Sequence, residues 1–77
     1  MNETSKITRT NSSVCTGHRR TTIAVDGETI GWVERFDGDR AWSATAVTHL
    51  GTVDRGDWYS RKADAIDEVI DFAGGAR

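Results

Sequence analysis

Apolar and polar residues alternate along two consecutive segments in the middle of the chain. The first segment is Thr21–Val25, the second is Glu28–Phe36, and Asp26-Gly27 lies between them. Alternation with a period of two is typical of a half-buried β-strand, and an Asp-Gly pair between two such segments favours a tight hairpin turn. The pattern therefore predicts a β-hairpin over residues 21–36.

The same kind of pattern continues towards the C-terminus. Asp37-Gly38-Asp39 predicts a second turn, and Arg40–Thr48 predicts a third strand. Leu50–Val53 fits a short fourth strand, which a turn at Asp54-Arg55-Gly56-Asp57 would close. The sequence thus predicts an antiparallel sheet of three strands, or of four if the short segment joins it.

After Ser60 the spacing of apolar residues changes from every second residue to every third or fourth residue. Ser60 is a typical helix N-cap and Gly74-Gly75 a typical C-terminal stop, so we predict a helix over Arg61–Ala73. Its apolar residues lie on one face: Ile66, Val69, Ile70 and Ala73. The predicted fold is α+β, a three- or four-stranded antiparallel sheet followed by one C-terminal helix that packs on one face.

The length of the second turn decides which side of the third strand faces the helix, because a slip of one residue inverts a strand. A two-residue loop and a three-residue loop are both open, and we prefer the longer one because it separates apolar from polar residues. It predicts a core face of Ile23, Val25, Ile30, Trp32, Phe36, Trp42, Ala44 and Ala46. The other face would then hold Thr22, Ala24, Thr29, Gly31, Val33, Arg35, Ser43, Thr45 and Val47.

Residues 1–19 differ in composition from the rest of the chain. They are rich in Ser, Thr and Asn, which leaves two structures open: a flexible tail, or an edge strand near Lys6–Thr10 or Val14–Thr16. Residues 1–20 contain four basic residues against one acidic residue, whereas residues 21–77 contain six against 11. A basic tail therefore precedes an acidic β-β-β-α domain over residues 20–77.

Length and composition limit the chemistry of the protein. The chain has 77 residues and one cysteine, which can form neither an internal disulfide nor a zinc site by itself. A domain of this size has little room for a dry catalytic pocket. We therefore expect a non-enzymatic protein without a metal or other cofactor. The sequence has no apolar run of about 18 residues and no apolar leader, which predicts a cytoplasmic protein that does not bind membranes.

The charges of the predicted helix oppose its dipole, with Arg61 and Lys62 at the N-terminal end. Carboxylates recur at helical spacing: Asp64, Asp67, Glu68 and Asp71. Like charges at this spacing repel each other, so we interpret them as a surface for a basic partner, with an ordinary solvated helix face as the alternative. Trp58 and Tyr59 precede the helix, either as an aromatic anchor of that interface or as a seal between sheet and helix.

Four short segments resemble the arm-type DNA-binding domain of phage integrases and the AP2 domain over about residues 28–73. They are Gly31-Trp32-Val33, Trp42-Ser43-Ala44, Leu50-Gly51-Thr52 and Ser60-Arg61-Lys62-Ala63-Asp64-Ala65. The resemblance implies DNA binding through basic residues of the exposed sheet face. Here that face would hold Arg35, with Arg40 at its edge, and DNA binding would need help from the basic residues before it: Arg9, Arg19 and Arg20.

The short acidic chain also looks like accessory proteins of phages and mobile elements, including inhibitors of the anti-CRISPR type. This resemblance implies an inhibitor that presents an acidic helix to a basic, nucleic-acid-binding surface of a host protein. The leading prediction is thus a protein-binding module that uses Asp64, Asp67, Glu68, Asp71, Trp58 and Tyr59. The alternative is a DNA-binding regulator that uses the exposed sheet face and the basic tail. A homodimer through an open sheet edge is a third interpretation.

Overall fold

The computed structural model describes residues 6–13 and 15–75. Within these residues the chain forms five strands and one helix: β1 Ile7–Ser12, β2 His18–Val25, β3 Glu28–Phe36, β4 Trp42–Thr48, β5 Gly51–Tyr59 and α1 Lys62–Gly75. All strands pair antiparallel with their sequence neighbours, in the order β1-β2-β3-β4-β5. The α+β class with a C-terminal helix is confirmed, and the sheet has five strands rather than three or four.

Two segments account for the additional strands. β1 lies at one edge, where an edge strand near Lys6–Thr10 was one of the two alternatives, while residues 1–5 and Val14 lie outside the described residues. At the other edge, β5 includes residues 54–57, so the turn predicted there was wrong. Register shifts opposite Ala44 let β5 absorb its extra residues as bulges, which keep the strand paired where the sequence suggested a reversal.

The first hairpin has the predicted turn. Asp26 and Gly27 both have positive φ angles, 53° and 85°, and Val25 pairs with Glu28 across them. Positive φ at both central residues defines a type I′ turn, whose twist matches that of the flanking strands. Aspartate tolerates this backbone conformation better than most residues and glycine adopts it freely, which explains the sequence at this corner.

A β-bulge in this hairpin changes which residues of β3 face the helix. The register shifts between Ile23 and Ala24, so that Ile23 pairs with Gly31 and Ile30 is the extra residue. Because a bulge adds one residue to one strand, the residues beyond it change face relative to an unbroken ladder. Val33 therefore lies on the helix side and is 0% exposed, whereas we predicted it for the polar face.

The side of the sheet away from the helix, the open face, carries two residues that we predicted for the core. Trp32 is half-buried there and Phe36 is 48% exposed. The second hairpin pairs Val33 with Ala44 and Trp32 with Thr45, which is the register that we did not prefer. Both predictions were wrong for the same reason, since they assumed that the first ladder runs without interruption.

The core lies between α1 and the sheet. It consists of Ile23, Ile30, Val33, Ala44, Ala65, Ile66 and Val69. Gly31 lets the helix come close, because a Cβ atom at this position would lie 2.6 Å from Cγ1 of Val69. The helix packs mainly on β3, β4 and β5 and leaves the same side of β1 and the Arg19 end of β2 uncovered. Within the described part of the chain, no helix has the length and apolarity needed to cross a bilayer.

Candidate functional site

The four carboxylates predicted as a stripe on the helix have two different environments. Asp64, Asp67 and Asp71 are exposed, and within residues 6–13 and 15–75 no basic side chain forms an ion pair with any of them. Glu68 instead accepts a hydrogen bond of 3.0 Å from Nε of Arg55, and its Oε2 forms an ion pair with Nη2 of Arg55 at 2.9 Å. We call the three unpaired carboxylates, Asp64, Asp67 and Asp71, the acidic face.

Arg55 joins β5 to the helix through Glu68 and Phe72, and it also contacts Tyr59 within β5. Besides binding Glu68, its guanidinium group lies 4.3 Å from the ring centroid of Phe72. Its backbone carbonyl accepts a hydrogen bond of 2.8 Å from the hydroxyl of Tyr59. Burial and the Glu68 carboxylate raise the pKa of Tyr59, so the hydroxyl keeps its proton and remains a donor at neutral pH. Glu68 therefore fixes the helix to the sheet, unlike the acidic face.

This difference predicts opposite effects of neutralising two carboxylates of the same helix. Glu68→Gln should lower the free energy of unfolding by about 1 kcal/mol, because it removes a charge-assisted hydrogen bond to Arg55. Asp71→Asn should leave it unchanged or raise it by about 0.3 kcal/mol, because it relieves like-charge repulsion and an unfavourable dipole interaction. Urea denaturation of both variants measures the difference, and equal losses would show that Asp71 also has a stabilising partner.

Trp58 presents a large aromatic surface near Glu68 of the helix and Asp54 of β5. Its side chain is 70% exposed and stacks on the ring of Tyr59, with 5.6 Å between the centroids. It also lies over Gly56, where an added Cβ atom would contact the indole ring. A shallow depression at this edge of the sheet is lined by Trp58, Tyr59, Glu68 and Asp54. An exposed, oriented indole thus lies beside acidic side chains of both β5 and α1.

Four of the five arginines that the sequence suggested for DNA binding lie on strands and are divided between the two sides of the sheet. Arg20 lies on the open face, 4.5 Å from the ring centroid of Trp32, and its Nε is 3.6 Å from the Glu34 carboxylate. Arg35 was predicted for the exposed face but lies on the helix side, 5.5 Å from the ring centroid of Trp42. This correction has the same cause as that of Val33, since the two residues share a face of β3.

The open face itself has little free positive charge. Nε2 of His18 is 2.9 Å from Oε1 of Glu34, which also faces Arg20, and the His18 ring contacts Phe36 with 4.7 Å between centroids. Arg40 is exposed in the connection between β3 and β4. Because Glu34 offsets the charge of Arg20, the open face lacks the concentrated positive field that phosphate binding needs.

A cavity of about 410 Å³ lies on the helix side, where the sheet extends beyond the helix. It is lined by Arg9, Asn11, Thr21, Lys62, Ala63, Ile66 and Asp67. Thr21 is 2% exposed, and its hydroxyl donates a 2.7 Å hydrogen bond to Oδ1 of Asn11. Nζ of Lys62 is 3.5 Å from the same oxygen. We call this feature the cationic groove. The hydrogen bond between Lys62 and Asn11 connects β1 to the start of α1. These residues are far apart in the sequence, so no local motif predicts their contact.

No group of three or more His, Cys, Asp or Glu side chains in the described ranges is arranged to hold a metal ion. Comparison with protein-family models, with curated proteins and with solved structures finds no significant match. The functional inferences therefore depend on the geometry and charge of the acidic face, Trp58 and the cationic groove.

Proposed function

We propose that this protein is a small, non-enzymatic protein-binding module that presents the acidic face and Trp58 to a basic surface of a partner protein. The observation that supports this proposal most directly is the combination of three exposed, unpaired carboxylates on α1 with an indole on β5 that is 70% exposed and lies near Glu68 of the same helix. Tryptophan is enriched among the residues that contribute most to interfaces, and surrounding charges select and orient the partner.

The arrangement of the acidic face favours binding over stability. Asp64 and Asp71 are seven residues apart, about two helical turns, so they lie on the same side of α1 as Asp67 and away from buried Val69. The last turn of the helix contains no basic residue to balance its negative end. Lysine or arginine side chains of a partner would relieve the repulsion among the three carboxylates. The association rate should therefore be high at low salt and should fall at higher salt, which screens the attraction between the two surfaces.

A basic protein surface of this kind is often one that binds nucleic acid. If the acidic face covered that basic surface, it would exclude the phosphate backbone of a nucleic acid both by electrostatic repulsion and by steric hindrance. We therefore propose that the protein acts as an inhibitor of a nucleic-acid-binding host protein, in the cytoplasm of the host and in the manner of phage accessory proteins. Its activity would require neither a catalytic residue nor a cofactor.

Charge reversal tests the proposal. Wild-type protein immobilised on beads should retain a basic protein from nuclease-treated host lysate, and Asp67→Lys/Asp71→Lys should lose it. Glu28→Lys/Asp39→Lys is the matched control, because it reverses two exposed charges outside the acidic face. In binding assays with the captured protein, Trp58→Ala should weaken binding by about 30-fold, the effect of losing a typical hot spot.

The outcome depends on the variants keeping their fold, which thermal denaturation establishes. All the substituted side chains are exposed, so the melting temperatures should remain close to that of the wild type. Retention of the same partner by the folded Asp67→Lys/Asp71→Lys variant would contradict the proposal, and so would its equal loss from the Glu28→Lys/Asp39→Lys control.

A further inference from the structure

The cationic groove is a second charged surface, which lies beside the helix and does not include Trp58. Its floor is the helix-side surface of β2, and β1 and α1 form its walls. Arg9 lines it from β1 and Lys62 lines it from the first turn of α1. Within the described residues neither of them forms an ion pair with a carboxylate, so both can bind an anion.

Two more arginines extend this surface along the sheet. Arg19 of β2 pairs with Arg35 of β3, and paired residues of an antiparallel ladder lie on the same face. Arg35 lies over Trp42, which packs against the core, so this shared face is the helix side. Arg19 is exposed. Four cations from β1, β2, β3 and α1 therefore lie on one side of the molecule: Arg9, Arg19, Arg35 and Lys62.

Trp42 holds two of these cations in place. The guanidinium carbon of Arg35 and Nζ of Lys62 each lie 5.5 Å from the centroid of its ring. Cation–π contacts of this kind restrict long side chains that would otherwise lose more entropy on binding a ligand. Nη1 of Arg35 donates a 3.2 Å hydrogen bond to the backbone oxygen of Asp39, and the remaining Nη donors stay available for phosphate oxygens. The cationic groove is therefore partly ordered before any ligand arrives.

We propose that the cationic groove binds the phosphate backbone of single-stranded nucleic acid. Arg9 is opposite Ile23, and Arg19 is four residues before Ile23 on β2, so the two arginines are roughly 13 Å apart along the strands. Such a spacing suits alternate phosphates of one extended strand. The groove lies between a strand and a helix, so it admits a single strand more readily than a duplex. Ala63 is exposed and offers apolar surface to the bases.

Asp67 connects the two charged surfaces, because it belongs to the acidic face and also lines the cationic groove. Its carboxylate repels a phosphate chain in the groove and attracts a basic partner on the helix. Asp67→Asn should therefore strengthen nucleic-acid binding by about two- to threefold and weaken binding of the basic protein. The two proposals have different ligands and surfaces, so either can fail without the other.

Fluorescence anisotropy with a labelled 20-nucleotide oligothymidylate tests the proposal. Four phosphate contacts predict that Kd rises about 50-fold between 50 and 200 mM NaCl, and only about sevenfold for Arg9→Gln/Lys62→Gln, which leaves two contacts. Arg20→Gln is the matched control, since it removes a positive charge from the open face and should change Kd less than about twofold.

Three results would overturn the proposal. The first is that the wild type does not bind the oligonucleotide at 20 mM NaCl. The second is that Arg20→Gln weakens binding as much as Arg9→Gln/Lys62→Gln does. The third is that the protein binds polyglutamate of matched charge as tightly as it binds the oligonucleotide. The first would show that the cations bind no phosphate chain, the second that the open face is the site, and the third that the groove accepts any polyanion. A duplex of the same sequence should bind more weakly, and tighter duplex binding would also contradict a single-strand site.

Discussion

Replacing Val33 with asparagine is expected to lower the free energy of unfolding by about 4 kcal/mol. The change removes a side chain that is 0% exposed from the contact between β3 and the helix. The loss of apolar burial contributes about 2 kcal/mol and the buried amide without hydrogen-bond partners about as much again. Since a domain of this length is stabilised by roughly 4–12 kcal/mol in total, the variant should be close to unfolding. Urea denaturation followed by tryptophan fluorescence measures the loss.

Thr45→Asn provides the matched control for this prediction. Thr45 pairs with Trp32 on the open face, where an amide remains in contact with water, so its replacement should cost no more than about 0.5 kcal/mol. The regular alternation of the sequence predicts the reverse, with Val33 among the polar residues. If Val33→Asn is as stable as Thr45→Asn, the bulge at Ile30 is absent in solution and the alternation of β3 continues unbroken.

Gly31→Ala is the second change with a large expected effect, because it adds a single methyl group where the helix meets the sheet. That Cβ would lie 2.6 Å from Cγ1 of Val69 and would also contact the backbone oxygen of Thr45 and the Cα of Ala46, which cannot move independently of the sheet. Overpacking of this kind costs about 3 kcal/mol. The loss should appear as a lower urea midpoint with an unchanged m-value.

The double variant Gly31→Ala/Val69→Ala identifies the cause of that loss. Val69→Ala alone should cost about 2–3 kcal/mol because it leaves a cavity in the core. In the double variant the new methyl group occupies part of that cavity, so the combined loss should be about 1 kcal/mol smaller than the sum of the two single losses. Strict additivity would mean that the helix does not approach the sheet at Gly31.

Local sequence signals predicted those parts of the fold that depend on neighbouring residues. The Asp26-Gly27 turn follows from two residues that tolerate positive φ, and the helix from apolar residues at helical spacing after Ser60. Both signals act over a few residues and need no knowledge of the rest of the chain. The acidic face follows from the same helical spacing, since Asp64, Asp67 and Asp71 are all exposed as predicted.

Long-range features could not be predicted in this way. The bulge at Ile30 places Gly31 under Val69, and that fit depends on the packed helix rather than on the sequence of the hairpin. β5 continues through Asp54 and Gly56 because pairing with β4 outweighs local turn propensity. Glu68 had the spacing of the acidic face, but its pairing with Arg55 depends on how α1 docks against β5.

The incomplete cover of the sheet by the helix has a consequence for the motions of the protein. β1 pairs with β2 alone and is exposed along its whole length, whereas β3, β4 and β5 are pressed against α1. The edge strand can therefore detach in a local opening that leaves the core intact, at a smaller free energy than global unfolding. One wall of the cationic groove is then adjustable, so its width can adapt to the chain that occupies it.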